Sequence, residues 1–88
     1  MELESTPIFD KDIKKLDKHG RKELKDLIDK ISRQPEMGKP MEHCSNVFSK
    51  RTIHHRLIWK VKKQENVILL LMYKNRDEVY GALRNLKF

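Results

Sequence analysis

With a single cysteine, Cys44, the 88-residue chain has no internal disulfide framework and suits a reducing compartment. Three glycines and three prolines are scattered, and no repeat, low-complexity stretch, interdomain linker or Gly-rich phosphate loop occurs. The longest apolar run, Val67–Tyr73, is far too short to span a membrane. The opening segment MELESTPIFDKD lacks the basic and apolar regions of a signal peptide, so the expectation is a cytoplasmic protein with no membrane partner. No C-x-x-C or H-x-x-x-H spacing is present, and the expectation is no metal and no other cofactor. Hydrophobic residues make up 38 %, enough for one thin core in one domain over residues 1–88. A deep, enclosed pocket for a small-molecule ligand is excluded on the same ground. Any active site should lie on an open surface.

What the chain does have is positive charge. Twenty basic and 13 acidic residues give a formal net charge of +7. Residues 1–42 hold ten of each sign, whereas residues 43–88 hold ten Lys/Arg against Glu65, Asp77 and Glu78 alone. The whole excess thus belongs to the second half. A balanced scaffold half joined to a polyanion-facing half is the functional reading; a well-solvated basic surface is the alternative.

Residues 9–19 place Phe9, Ile13 and Leu16 at helical spacing, with Gly20 as the expected C-cap. Residues 21–34 repeat the pattern with Leu24, Leu27, Ile28 and Ile31, and Pro35 ends the run. Residues 37–46 read as a loop. Residues 47–53, 55–62 and 66–74 read as strands, the last two joined by a tight turn at Gln64-Glu65-Asn66. The third is apolar on both faces and should be central. A short N-terminal strand around Leu3 is a weaker candidate. Asp77 is the expected cap of a final helix carrying Val79, Leu83 and Leu86. The order (β)ααβββα predicts an α+β fold: a small antiparallel sheet, an N-terminal αα-hairpin with helices packed on one face, and a short C-terminal helix.

Strand period places His55, Leu57, Trp59 and Val61 toward the helices and His54, Arg56, Ile58 and Lys60 on the other face. Trp59 is therefore read as core. Lys74 and Arg76 share one face at the end of the last strand; of the neighbours Lys50 and Arg51, only one can point the same way. Cations from three adjacent strands then converge on an open face suited to an RNA strand, with Lys62 and Lys63 able to steer it. The chemistry such a face supports is RNA cleavage without a metal. A base takes the ribose 2′-OH proton, the oxygen attacks the adjacent phosphate, and an acid protonates the 5′-oxygen. His54, Tyr80, Tyr73, His43 and Glu42 are the candidate proton carriers, and spacing does not choose among them.

Several segments taken in order resemble the RelE/ParE superfamily of toxins from toxin–antitoxin modules. His55-Arg56-Leu57-Ile58-Trp59-Lys60-Val61 is similar to the family's central strand, and Asn75-Arg76-Asp77-Glu78-Val79-Tyr80 to the RelE branch's strand end and helix start. Gly38-Lys39-Pro40 and Ser49-Lys50-Arg51 with Ile53 are closer to the YoeB branch. The resemblance implies a type II toxin acting as a ribosome-dependent mRNA endonuclease that blocks translation until a cognate acidic, RelB-like antitoxin neutralises it. Its partners would then be that antitoxin, the ribosome and mRNA. It also implies catalytic roles for Arg56, Lys74, Arg76 and Tyr80 and puts Lys50 and Arg51 at the family's paired basic positions; with His54, Lys60, Lys62 and Lys63, taken from the strand pattern, these are the expected RNA contacts. Glu42 is offset by one residue from the YoeB-type general base, and the YoeB-type His-Tyr ending is absent. The competing expectation from another class is a ParE-like toxin that inhibits DNA gyrase without RNase activity. A non-catalytic RNA-binding domain is a third.

Overall fold

Local capping decides where the helices lie. The computed structural model describes residues 1–85. Strand β1 spans Glu2–Ser5 and gives way at Thr6, whose hydroxyl accepts the Phe9 N–H at 3.1 Å and caps helix α1, Pro7–Lys14. Pro7 sits in the first turn, where its missing N–H costs nothing. The chain then breaks and Asp17 caps helix α2, Lys18–Arg33, accepting the Gly20 N–H at 2.7 Å. Gly20 is therefore inside the first turn of α2 and is not the C-cap of a helix over 9–19. The break falls earlier because Asp17 competes for the free N–H groups of a new helix.

The remaining elements are β2 (Lys39–Pro40), β3 (Val47–Arg51), β4 (His55–Lys62), β5 (Val67–Asn75) and α3 (Arg76–Asn85). They form one five-stranded sheet in the order β1-β5-β4-β3-β2. The fold is α+β as expected, with three corrections. The sheet is mixed, because β1 runs parallel to β5 while the other neighbours are antiparallel. The segment 37–46 is not all loop: Lys39 and Pro40 pair with Ser49 and Phe48, a stretch too short to show a period. Helices cover both faces, α2 on one and α3 on the other, since Val79 packs with Val47, Ile58, Leu71 and Met72. Leu86, expected on the same side of α3, lies outside the described residues.

The central place of β5 sets the geometry of the site. Ile58 pairs with Met72 but Trp59 pairs with Leu70, so Leu71 is an extra residue in β5. Leu71 and Met72 both join the α3-side core, after which Tyr73 returns to the α2 side and Lys74 to the α3 side. Where β1 ends, α1 takes over the open edge of β5. Thr6 donates its N–H to the Leu70 carbonyl at 3.1 Å and its hydroxyl to the Leu71 carbonyl at 2.6 Å. Asp12 then accepts the Tyr73 N–H at 3.1 Å. An edge that would otherwise leave polar backbone unpaired is closed by side chains.

Trp59 is fully buried, donates its indole N–H to the Pro35 carbonyl at 2.7 Å, and stacks on Phe48. It also dictates glycine at position 38. A Cβ there would lie 2.5 Å from the Trp59 ring and 2.6 Å from the Ser49 carbonyl oxygen. Gly38→Ala should lower stability by about 1–3 kcal/mol, the usual cost of overpacking, and thermal or urea unfolding will measure it.

Candidate functional site

Strand register brings three cations into one row. Arg51 in β3 lies opposite Arg56 in β4, and Arg56 lies opposite Lys74 in β5. The choice left open between Lys50 and Arg51 falls to Arg51. By register Lys50 is opposite Leu57 and turns to the α2 side, where it lines a cavity with Glu23 and Asp26 that Arg51 also borders. Arg56 is held in place: its Nη1 donates to the Ser49 hydroxyl at 2.8 Å, and Ser49 is 2 % exposed.

Two recesses meet at Arg56. One, of about 180 Å3, is lined by Arg51, His54, Arg56 and Arg76, the last at the start of α3. The other, of about 250 Å3, lies between β2 and α3 and is lined by Lys39, Glu42, Ser49, Arg56 and Tyr80, with Met41, Val79 and Leu83 as its apolar wall. Tyr80 is 48 % exposed on the rim because its neighbour Val79 takes the buried position on α3. That helix begins directly at the end of β5. It is capped by Asn75, whose side chain accepts the Glu78 N–H at 2.9 Å, and not by Asp77. The last strand residue thus starts a helix without an intervening loop, which puts Arg76 and Tyr80 beside the row.

Lys74 belongs to the row by register but its ammonium is engaged elsewhere. Its Nζ lies 2.6 Å from Asp12 Oδ1, and the two side chains are 18 % and 5 % exposed. The other expected RNA contacts separate. Lys60 shares the face of Arg56 but sits four residues along β4, roughly 13 Å away at strand rise. Lys62 and Lys63 lie at the far hairpin, each with a glutamate: Lys62 with Glu65 at 3.6 Å and Lys63 with Glu36 at 2.9 Å. His54 stands in the β3–β4 turn, beside Arg51 and Arg76.

Among the candidate proton carriers, Glu42 and Tyr80 share the groove with Arg56. Tyr73 does not: it is 1 % exposed on the α2 side, against His55 and hydrogen-bonded to the Thr52 hydroxyl. Burial pushes its phenol above the ordinary tyrosine range, with the Thr52 hydrogen bond opposing the shift. His43 adopts a left-handed conformation in the loop that follows Glu42. Ser49, Lys39 and Asp12 are not among the candidate site residues read from the sequence, although Ser49 and Lys39 stand in segments that carry the resemblance. Ser49 carries a weak signal, two residues before Arg51 on the same face; the partners of Asp12, Tyr73 and Lys74, are too distant along the chain to leave one. A larger cavity of about 310 Å3 lies beside Lys74, but Asp12, Asp17, Glu23 and Glu78 on its walls keep it from being a cationic site. Among the described residues no three His, Cys, Asp or Glu side chains gather as metal ligands, and no helix is long and apolar enough to cross a membrane.

The arrangement presents three guanidinium groups to one small area, next to a groove holding a carboxylate, a phenol and an apolar wall. Guanidinium forks match phosphate oxygens in geometry as well as charge. Comparison with known proteins agrees with this architecture. The family model of the ParE toxin of type II toxin–antitoxin systems, parDE, matches residues 3–80. The fold is similar to the isolated RelE toxin of Escherichia coli, with a TM-score of 0.78 and 15 % identity over 97 % of this chain and 98 % of that one. It is similar to a YoeB/ParE toxin from Agrobacterium tumefaciens, with a TM-score of 0.75 and 21 % identity over 86 % and 99 % of the two chains. The RelB–RelE antitoxin–toxin complex from Methanococcus jannaschii also matches, with a TM-score of 0.73 and 19 % identity over 90 % and 96 %. No curated protein sequence matches significantly.

Proposed function

The chain belongs to the ParE toxin family of type II toxin–antitoxin systems, within the RelE/ParE superfamily, and from the geometry of its site we propose that it is an endonuclease acting on mRNA at the ribosome. The observation that carries this reading is the convergence of Arg51, Arg56 and Arg76 beside a groove that contains Glu42 and Tyr80. A phosphodiester held by the arginines exposes its 2′-OH to the groove. The 2′-oxygen attacks phosphorus as its proton leaves, and the bond to the 5′-oxygen breaks. The products are a 2′,3′-cyclic phosphate and a 5′-OH. Arg56, anchored on Ser49, stabilises the charge that develops on the non-bridging oxygens. The shared groove supports Glu42 as the acceptor of the 2′-OH proton and Tyr80 as the donor that protonates the departing 5′-oxygen.

The open form of these recesses suits a substrate presented by a larger machine, and mRNA on the ribosome is such a substrate. A segment that neutralises this domain should be acidic, as a cognate antitoxin would be, since the chain carries +7. RelB is the antitoxin in related solved complexes. The second reading, a gyrase inhibitor without RNase activity, draws support from two observations: the matching family model is that of the ParE toxin, and Lys74 is bound to Asp12, so the row has one free cation fewer. Expression in cells separates the two readings. Fragmented transcripts with intact chromosomal DNA are expected; gyrase-linked DNA breaks with intact transcripts would overturn the proposal.

A further inference from the structure

We propose that Asp12 is a positioning residue that withdraws Lys74 from the cationic row, so that substrate charge is carried by the arginines alone. The inference rests on the polyanion-binding reading above. Arg51, Arg56 and Lys74 occupy facing positions on three neighbouring strands. Facing side chains in a sheet start only about 5 Å apart, and like charges at that spacing repel. Asp12 relieves the row at one end. It is 6 % exposed, and each carboxylate oxygen has a partner: Oδ1 the Lys74 ammonium at 2.6 Å, Oδ2 the Tyr73 N–H at 3.1 Å. The carboxylate is therefore fixed from two directions and cannot follow Lys74 toward a ligand without leaving a backbone donor unpaired. With its charge compensated on the α1 side, Lys74 adds little to the field over Arg56.

This arrangement makes a prediction that a purely structural ion pair would not. Each phosphate neutralised by a free cation steepens the dependence of log K on log salt for single-stranded RNA by about 0.7. Binding of a short single-stranded RNA oligonucleotide should be titrated at several salt concentrations for wild type, Arg56→Met, Asp12→Asn and the double variant Asp12→Asn with Lys74→Met. Asparagine keeps an acceptor for the Tyr73 N–H, and the double variant removes both charges together, so each can fold. Arg56→Met should flatten the slope by about 0.7 and the double variant should leave it at the wild-type value. Asp12→Asn alone, which frees Lys74, should steepen it by about 0.7. A double variant as flat as Arg56→Met, or an unchanged slope in Asp12→Asn, would overturn the proposal. Chemical acetylation of Lys74 gives a readout independent of RNA: it should be slow in wild type and several-fold faster in Asp12→Asn. Failure of the wild type to bind RNA would remove the RNA reading; equal acetylation in both proteins would remove the pin.

Discussion

Arg56→Ala should abolish growth arrest on expression and slow RNA cleavage by about 100- to 1,000-fold, the loss seen when one preorganised donor to a developing oxyanion is removed. The protein should remain folded. Arg56 is half-buried, and its loss leaves only the Ser49 hydroxyl without its guanidinium partner, a cost of about 1 kcal/mol. Cleavage and melting temperature measured on the same preparation separate the two effects. Arg56→Lys is the informative companion: it keeps the charge but not the planar fork, so activity should fall between wild type and alanine. Arrest at the wild-type level in Arg56→Ala would remove the residue from the site.

The second large effect concerns stability. Asp12→Ala removes both hydrogen bonds of a buried carboxylate, leaving the Lys74 ammonium unpaired at 18 % exposure and the Tyr73 N–H without its acceptor. Removing one member of a buried pair costs about 3–5 kcal/mol, and the lower end applies because Lys74 keeps a route to solvent. For a domain of this size that corresponds to a fall in melting temperature of roughly 12 °C or more. Calorimetry or circular dichroism will measure it. A shift of only a few degrees would show that the pair contributes little beyond its position.

The contrast between these two sites explains what was legible in the sequence. Arg56 and Trp59 declare themselves by period: β4 alternates strictly, so the face of every residue in it follows from one assignment. Arg51 could not be told from Lys50, because that choice depends on where β3 pairs with β4 and no pattern within β3 records it. Lys74 illustrates a deeper limit. Its face was read correctly, although the bulge at Leu71 shifts the alternation earlier in the strand. Its partner, Asp12, lies 62 positions away on an amphipathic helix, where one acidic residue among many carries no mark. Lys62 and Lys63 read from the sequence as flanking charges able to steer RNA, yet the hairpin carries them to the far end of the sheet, each beside a glutamate. The helix boundaries failed for a local reason. Asp17 and Asn75 are caps, and Gly20 and Asp77 attract attention only because they sit a few residues further on.

The proposed reaction is cleavage of RNA by its own 2′-hydroxyl, in the groove beside Arg51, Arg56 and Arg76. Purified protein added to ribosomes translating a 5′-labelled mRNA tests it most directly, with gyrase and plasmid DNA in a parallel reaction. Expected are mRNA fragments ending in 2′,3′-cyclic phosphate and no gyrase-linked DNA breaks. Intact mRNA together with accumulating gyrase-linked breaks would contradict it.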